Sequence, residues 1–286
     1  MSDTPTDFDR VRREQREFWN NAAPGWKQMW TALDRAAQHV SDRLVELARI
    51  KPGDRVLDIA TGSGEPGLTA ARKVGAEGVV IATDQSAAML DLARERAATL
   101  GLRNVRFVET DAESLAVDER GFDAAICRWG LMFVPDLDAV SRRIAQLLVP
   151  GATFSTSVWG PAEKVPMITA GDEQVRALTN IPAPPPDAPS PIKLADTRPL
   201  ERALADAGFK DIRVEPINVC FQFDSPEAFT EQRRAMSTPF RTMLEKQTPE
   251  LQCKILGVLN DAARKFADAS GKVSMDNQAI CISAHL

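Results

Sequence analysis

Short apolar runs alternate with amphipathic segments along the first half of the chain. The runs "DRVLDIA", "GVVIATD", "NVRFVETD", "FDAAICRWG" and "GATFSTSVWG" have the length and composition of buried strands. Between them, "GLTAARKV", "SAAMLDLARERAATLG" and "LDAVSRRIAQLL" repeat their apolar residues with helical spacing. Strands that alternate with helices predict right-handed crossovers and a parallel sheet covered on both faces.

The pattern changes after Gly160. The stretch "NIPAPPPDAPSP", Asn180 to Pro191, is too rich in proline for regular structure and predicts a stiff surface loop. Helical spacing resumes in "DTRPLERALADAGF", with Asp196 or Thr197 as the N-cap and Gly208 as the stop signal.

The remaining segments complete the sheet and add helices. "DIRVEPINVCFQF" predicts a strand with a bulge or break at Pro216, and "QAICISAHL" predicts a last strand. Two helices are expected from Ser225 onwards, the second opened by Thr248 with Pro249 in its first turn.

We therefore expect an α/β fold with a doubly wound, mostly parallel, seven-stranded Rossmann-like sheet. Residues 1–50 would form a helical N-terminal cap, and residues 51–160 the cofactor-binding core. Residues 161–286 would supply the rest of the sheet, the proline-rich loop and a helical cap that binds substrate. Met236 and Met243 in that cap either roof an acceptor pocket or pack as ordinary core.

A glycine loop follows the first strand in "LDIATGSGEPG", and three ligands compete for it. A nucleoside triphosphate would need a lysine where Leu68 stands. A dinucleotide would need free N–H groups for its pyrophosphate, but Glu65 places a carboxylate in the loop and Pro66 removes an N–H. Neither residue harms a site for S-adenosylmethionine, which has no phosphate and carries a cationic sulfonium and an ammonium group.

Acidic residues stand at the ends of the first three strands. Asp58 would supply a counter-charge to the ammonium, and Asp84 would accept both ribose hydroxyls, a role that would serve NAD equally well. Asp111 is suited to accept a hydrogen bond from the adenine amino group, and Met89 can lie flat on the purine.

Taken in this order, "VLDIATGSGEPG", "ATDQSAAML", "TDAESL", "FDAAICRWGLMFVPD" and "LLVPGATF" resemble class I S-adenosylmethionine-dependent methyltransferases. The closer resemblance is to the ubiquinone/menaquinone biosynthesis C-methyltransferase group, over about Trp19 to Trp159. It begins with "FWNNAAPGW", which looks like the segment of that group that closes over the cofactor. The family's usual first glycine is Ala60 here, and "RWGLMFVPD" replaces the stretch that the quinone enzymes carry.

The resemblance also implies roles for individual residues. Asp58 would lie on the methionine ammonium, and the close-packed loop at the cofactor would be formed by Ala60, Thr61, Gly62 and Gly64. Asp84 would bind the ribose with Gln85 beside it, and Asp111 and Ala112 would hold the adenine edge. Arg128 and Trp129 would lie beside the methionine portion or the acceptor.

Composition and charge limit the classes of partner that we expect. A net charge of −5 gives no electrostatic footprint for nucleic acid, and four widely spaced cysteines predict no metal site. The sequence has no apolar run long enough to span a membrane, so we expect a cytoplasmic protein. A homo-oligomer is compatible with the sequence but not indicated by it.

Catalysis is the least determined part. Methyl transfer is an in-line displacement that needs orientation more than a base, although some acceptors require one. Of the two histidines, His39 is a weak candidate for that base and His285 is the penultimate residue. We expect methyl transfer to carbon or oxygen of a small aromatic or hydrophobic acceptor that resembles a quinone precursor or a secondary metabolite, with S-adenosylhomocysteine as product. A nicotinamide-dependent oxidoreductase and a catalytically silent S-adenosylmethionine-binding protein stay open as alternatives.

Overall fold

The computed structural model describes residues 8–182, 185 and 188–286. Residues 1–7, 183–184 and 186–187 lie outside the described residues, so the predicted surface loop at Asn180 to Pro191 is described only in part. The described part of that stretch contains no helix or strand.

Seven strands form one sheet in the order β3-β2-β1-β4-β5-β7-β6. Strands β1 to β5 run parallel, and β7 pairs antiparallel with both β5 and β6. The expected doubly wound, mostly parallel, seven-stranded sheet is thereby confirmed. The strands are β1 Arg55–Ile59, β2 Val79–Asp84, β3 Val105–Glu109, β4 Phe122–Arg128, β5 Leu148–Trp159, β6 Lys210–Phe223 and β7 Val273–His285.

The described helices cover the sheet. They are α1 Phe8–Leu47, α2 Gly67–Val74, α3 Ala87–Thr99, α4 Leu137–Leu147, α5 Pro166–Thr169, α6 Asp172–Thr179, α7 Arg198–Asp206, α8 Pro226–Met236, α9 Thr238–Glu245 and α10 Pro249–Arg264, with short 3-10 helices at Leu131–Phe133 and Ala162–Lys164.

Both faces of β1 are buried, which explains why Val56, Leu57 and Ile59 are apolar. Leu57 and Ile59 pack into the larger hydrophobic cluster, while Val56 points to the other face and packs with Ala70 and Val74 of α2. Successive side chains of a strand point to opposite faces, so a strand covered on both sides must be apolar throughout.

Strand β6 differs from its expected form. It runs through Pro216, which lies opposite Ile280, without a break. The irregularity falls between Lys210 and Arg213, where Asp211 has a φ of 51°. The predicted bulge at Pro216 was therefore wrong. Since β6 is the edge strand, a proline there need not cost a ladder hydrogen bond.

Three helices, rather than the two expected, follow Ser225. Ser237 separates α8 from α9 because its hydroxyl accepts a hydrogen bond from the Phe240 N–H at 3.3 Å and so starts a new helix. Thr248 opens α10 as expected, with its side chain accepting from the N–H of Leu251.

Helix α1 contacts α3, α8 and β6, and its second half packs into the main hydrophobic cluster through Leu33, Ala37, Val40 and Leu44. Its Asn20 side-chain oxygen accepts hydrogen bonds from the Ser86 hydroxyl at 2.7 Å and the Ala88 N–H at 3.3 Å, which ties α1 to the start of α3. At Gly25 the helix meets the end of α8 so closely that an added Cβ would lie 1.9 Å from the Ala235 carbonyl oxygen.

This crossing predicts the effect of Gly25→Ala. Backbone cannot move aside as a flexible side chain can, so the substitution should lower the free energy of unfolding by about 1–3 kcal/mol. The matched control is Gly257→Ala in α10, where an added Cβ has nothing within 4 Å. That change should be neutral or stabilising by up to about 1 kcal/mol. Urea denaturation measures both, and equal effects would contradict the close crossing.

Candidate cofactor site

A cavity opens at the carboxyl end of the parallel strands, beneath α1. Its empty volume is about 900 Å³ including its mouth. The loops after β1, β2, β3 and β4 line it, as the switch-point rule for such sheets predicts. The predicted binding residues in its lining are Ala60, Thr61, Gly62, Asp84, Gln85, Met89, Asp111, Ala112, Arg128 and Trp129.

Two predicted residues, Asp58 and Gly64, lie behind this surface. Asp58 is fully buried, and an added Cβ on Gly67 would lie 2.4 Å from its Oδ2 atom. Burial raises the pKa of Asp58 well above its usual value, and the Thr61 hydroxyl and Gly67 N–H offset that effect only in part. Gly64 packs on Leu68 with a φ of 111°, a conformation that favours glycine.

Asp84, at the end of β2, joins the first two strand ends. Its Oδ2 accepts a hydrogen bond from the Gly62 N–H at 2.8 Å, and its Oδ1 accepts one from the Ser86 N–H at 2.9 Å. Burial raises the pKa of Asp84 to about 6 despite these two donors. Each carboxylate oxygen has a further lone pair for a ligand hydroxyl.

The β3 end of the cavity combines one acid with apolar side chains. Asp111 Oδ1 accepts a hydrogen bond from the Ser114 N–H at 2.8 Å, which fixes the turn after β3. Met89 is buried in a small cluster with Trp19 and Trp26 of α1. These three apolar side chains line the cavity, so a flat base would find apolar surface there.

The β4 end carries a buried cation. Arg128 Nη1 donates to the Ser41 hydroxyl at 2.7 Å, and its guanidinium lies 5.1 Å from the Trp129 ring centroid. Trp129 in turn stacks on Trp159, with ring centroids 4.1 Å apart and planes 12° apart. Burial lowers the pKa of Arg128, and the nearby Glu65 carboxylate opposes that change.

Side chains of α3 and α1 also hold the glycine loop and the start of α2. Arg96 Nη1 donates to the Ser63 carbonyl at 2.7 Å, and its Nη2 pairs with Asp34 of α1 and lies 3.8 Å from Glu65 Oε1. Gln38, one turn along α1, donates to the Thr69 hydroxyl at 2.9 Å. The loop and α1 are therefore one connected unit.

Some lining residues were not predicted. Arg12 and Gln15 lie on α1, Glu113 follows Asp111 and Ala112 in the chain, and Phe133 follows β4. A signal for the first two was present, because positions 12, 15, 19 and 26 share one face of a helix. That face points at the cavity.

Among the described residues, none after Pro135 lines the cavity, so the C-terminal cap contributes nothing to its lining. Met236 packs against the main core, and Met243 packs in a cluster with Phe240 and Leu244. Of the two interpretations of these methionines, ordinary packing is the one the structure favours.

His39 lies away from the cavity, with Nε2 2.8 Å from the Asn218 carbonyl oxygen. Within the described ranges, the lining contains no histidine, lysine or cysteine. Across those same ranges, no group of His, Cys, Asp and Glu side chains is placed to hold a metal ion, and no helix is long and apolar enough to cross a membrane.

The strand order and the cavity at the strand ends are those of a Rossmann-like fold. Residues 50–184 match the family model described as a methyltransferase domain. This match, over a little under half of the chain, confirms the expected resemblance to methyltransferases.

Curated relatives match the same region. The chain is 31% identical over 160 residues to the ubiquinone/menaquinone biosynthesis C-methyltransferase UbiE of Legionella pneumophila (strain Corby), over 54% of this chain and 64% of that protein. It is 41% identical over 109 residues to the 2-phytyl-1,4-naphtoquinone methyltransferase of Synechococcus elongatus, over 38% of this chain and 47% of that protein. The matches span less than two thirds of either relative.

Solved structures share the fold. The YcgJ protein of Bacillus subtilis has a TM-score of 0.56 at 20% identity, over 87% of this chain and 98% of that one. A Haemonchus contortus phosphoethanolamine N-methyltransferase 2 in complex with S-adenosyl-L-methionine has a TM-score of 0.57 at 19% identity, over 99% of this chain and 60% of that one. The [4+2]-cyclase SpnF has a TM-score of 0.54 at 21% identity, over 88% and 81%. At such identities the likeness shows the fold alone.

The raised pKa of Asp84 predicts a pH effect on stability. The native pKa of about 6 exceeds the ordinary value of 3.8 for an aspartate, so the native state holds this proton more tightly than the unfolded state. The contribution of Asp84 to stability is therefore fully present below about pH 4 and declines as the pH rises to about 6.

The measurement compares the wild type with Asp84→Asn. The difference in free energy of unfolding, wild type minus variant, should fall by up to about 3 kcal/mol between those pH values. Urea denaturation at several pH values measures it, and a difference that stays constant would contradict the assigned shift.

Proposed function

We propose that this protein is an S-adenosylmethionine-dependent methyltransferase. It would transfer a methyl group to carbon or oxygen of a small aromatic or hydrophobic acceptor in the cytoplasm, without a nucleic-acid partner. The observation that carries the proposal is the charge pattern of the cavity. Acids stand at the ends of β2 and β3, while the loop after β1 presents Glu65 where a pyrophosphate would need N–H donors.

The lining fits the parts of this cofactor in order. Asp84 would accept the ribose hydroxyls while keeping its two N–H donors, and Asp111 with Ala112 would hold the adenine edge against Met89. The methionine portion would then lie toward Arg128 and the β4 end. When bound, the cofactor supplies an electrophilic methyl group on a sulfonium.

Aromatic and apolar side chains support an acceptor of the proposed kind. Trp19 of α1 meets Phe133 edge to face, with ring centroids 5.1 Å apart, and Trp26, Trp129 and Val134 line the same cavity. Such walls suit a flat, largely apolar molecule. The names of the curated relatives, both quinone methyltransferases, support the same class of acceptor.

The protein's share of the chemistry would be orientation and exclusion of water. The rings of α1 cover the cavity, which favours a reactive alignment and a dry environment. Since the described lining offers no histidine, an acceptor that ionises readily or activates its own ring carbon fits best.

Cofactor binding is the first test. Calorimetry should show one molecule of S-adenosylhomocysteine bound per chain and no binding of NADH. Asp84→Asn should weaken this binding by about 10-fold or more, because hydrogen bonds to charged groups contribute about 1.5–3 kcal/mol each. Asp91→Asn is the matched control, since that acid is exposed and pairs with Arg94 on the outside of α3.

Failure to bind S-adenosylhomocysteine would refute the proposal, and binding of NADH instead would favour an oxidoreductase. Incubation with methyl-labelled S-adenosylmethionine and pools of phenolic and quinol-like compounds separates an enzyme from a silent binder. Labelled product is expected, and binding without any transfer would favour the silent protein.

A further inference from the structure

Three buried polar atoms without partners lie at the end of the cavity formed by the first turns of α1 and the turn after β3. Arg12 Nε, Gln15 Oε1 and Glu113 Oε1 have no hydrogen-bond partner among the described residues, and all three side chains line the cavity. Arg12 and Gln15 lie one turn apart on α1, and the Glu113 side chain is only 7% exposed. These three residues are called the polar cluster below.

Arg12 and Glu113 face each other without a direct hydrogen bond. Arg12 Nε lies 3.7 Å from Glu113 Oε1, so each atom keeps its capacity to bind a third group. The other end of the guanidinium pairs with Asp9 of α1 at 2.7 Å. Burial raises the pKa of Glu113, and the charge of Arg12 offsets this only in part. Because buried polar atoms nearly always have a partner, the polar cluster points to a polar group of a ligand.

The cofactor has no group left for the polar cluster. In the proposed function, Asp111 holds the adenine edge and Asp84 the ribose hydroxyls. Asp58 and Glu65 also carry unpartnered carboxylate oxygens, but they belong to the end of β1 and the glycine loop, which the proposed function gives to the cofactor. The polar cluster stands on other elements, so the acceptor is the molecule it would contact.

The polar cluster adjoins the apolar walls proposed for the acceptor. Gln15 lies one turn before Trp19 on the same face of α1, and Trp19 meets Phe133 edge to face. Gln15 and Pro135 also line a second groove, which is bounded by the first turns of α1 and the start of α4. A molecule that entered by this groove would meet the polar cluster where the two spaces join.

The chemistry of the polar cluster favours a neutral group. Arg12 offers an N–H donor, while Glu113 and Gln15 offer acceptor oxygens. The charges of Arg12 and Glu113 oppose each other, so neither a cation nor an anion is preferred. A hydroxyl donates one hydrogen bond and accepts others, and therefore satisfies both kinds of atom at once. We propose that the polar cluster binds a hydroxyl group of the acceptor and so positions the acceptor against the apolar walls.

This role rests on the proposed function and narrows the acceptor to a hydroxylated aromatic compound. The members of the polar cluster are positioning residues that set acceptor specificity. Their effect falls on the acceptor and not on the cofactor, so binding of the two molecules separates this role from the proposed function.

Three naphthalene derivatives of similar size provide the test. 1-Naphthol donates and accepts a hydrogen bond, 1-methoxynaphthalene only accepts one, and 1-methylnaphthalene does neither. Calorimetry is carried out on the protein saturated with S-adenosylhomocysteine, which cannot transfer a methyl group. The three probes should bind in that order, with 1-naphthol about 10-fold or more tighter than 1-methylnaphthalene.

Each variant should reduce one step of this ranking. Glu113→Gln replaces a charged acceptor by a weaker neutral one and should reduce the preference for 1-naphthol over 1-methoxynaphthalene by about 5-fold. Arg12→Met removes the donor and should reduce the preference for 1-methoxynaphthalene over 1-methylnaphthalene by about the same factor. The matched controls are Arg13→Met and Glu17→Gln, at exposed positions of α1 that should leave the ranking unchanged.

Several results would overturn the role of the polar cluster. It is wrong if the complex with S-adenosylhomocysteine binds the three probes equally or binds none of them, or if Arg12→Met and Glu113→Gln leave the ranking unchanged. It is also wrong if these variants weaken S-adenosylhomocysteine as much as they weaken 1-naphthol, because the polar cluster would then serve the cofactor or the fold. If the wild type does not bind S-adenosylhomocysteine at all, the proposed function itself fails, which is a separate outcome.

Discussion

The site depends on how one short loop is held after β1. The buried Asp58 carboxyl fills the space beside Gly67, leaving no room for a side chain there. Asp84 takes the Gly62 N–H, and Arg96 takes the Ser63 carbonyl. The loop is thus fixed from beneath, from the neighbouring strand and from α3. These contacts fix the part of the loop that lines the cavity.

Helix α1 couples this loop to the cover of the cavity. Its middle section anchors the loop and β4 through Asp34, Gln38 and Ser41, while its earlier turns place Trp19 and Trp26 over the ligand space. The same helix therefore both holds the loop and β4 and covers the cavity. Burial raises the pKa of Asp58 and of Asp84, so their ionised forms destabilise the folded protein at neutral pH. Such perturbed groups are typical of binding sites.

Sequence periodicity predicted the sheet because β1, β2 and β4 are buried along most of their length and helical segments alternate with them. It failed where tertiary position decides the outcome: Pro216 is harmless because β6 is an edge strand, and Ser237 interrupts a continuous helical pattern. Residues at strand ends were placed in the cavity because parallel topology brings those ends together. Burial was not readable from spacing, so Asp58 was expected to face the ligand, whereas the structure places it behind the surface that lines the cavity.

The loop after β1 and the first half of α1 that covers it are proposed to form a site for S-adenosylmethionine. A crystal structure of the protein with S-adenosylhomocysteine tests it most directly. The ribose hydroxyls should lie on Asp84, the base between Met89 and Asp111, and the methionine portion toward Arg128 and the β4 end. A ligand bound elsewhere, or one whose amino-acid end points to solvent, would contradict it.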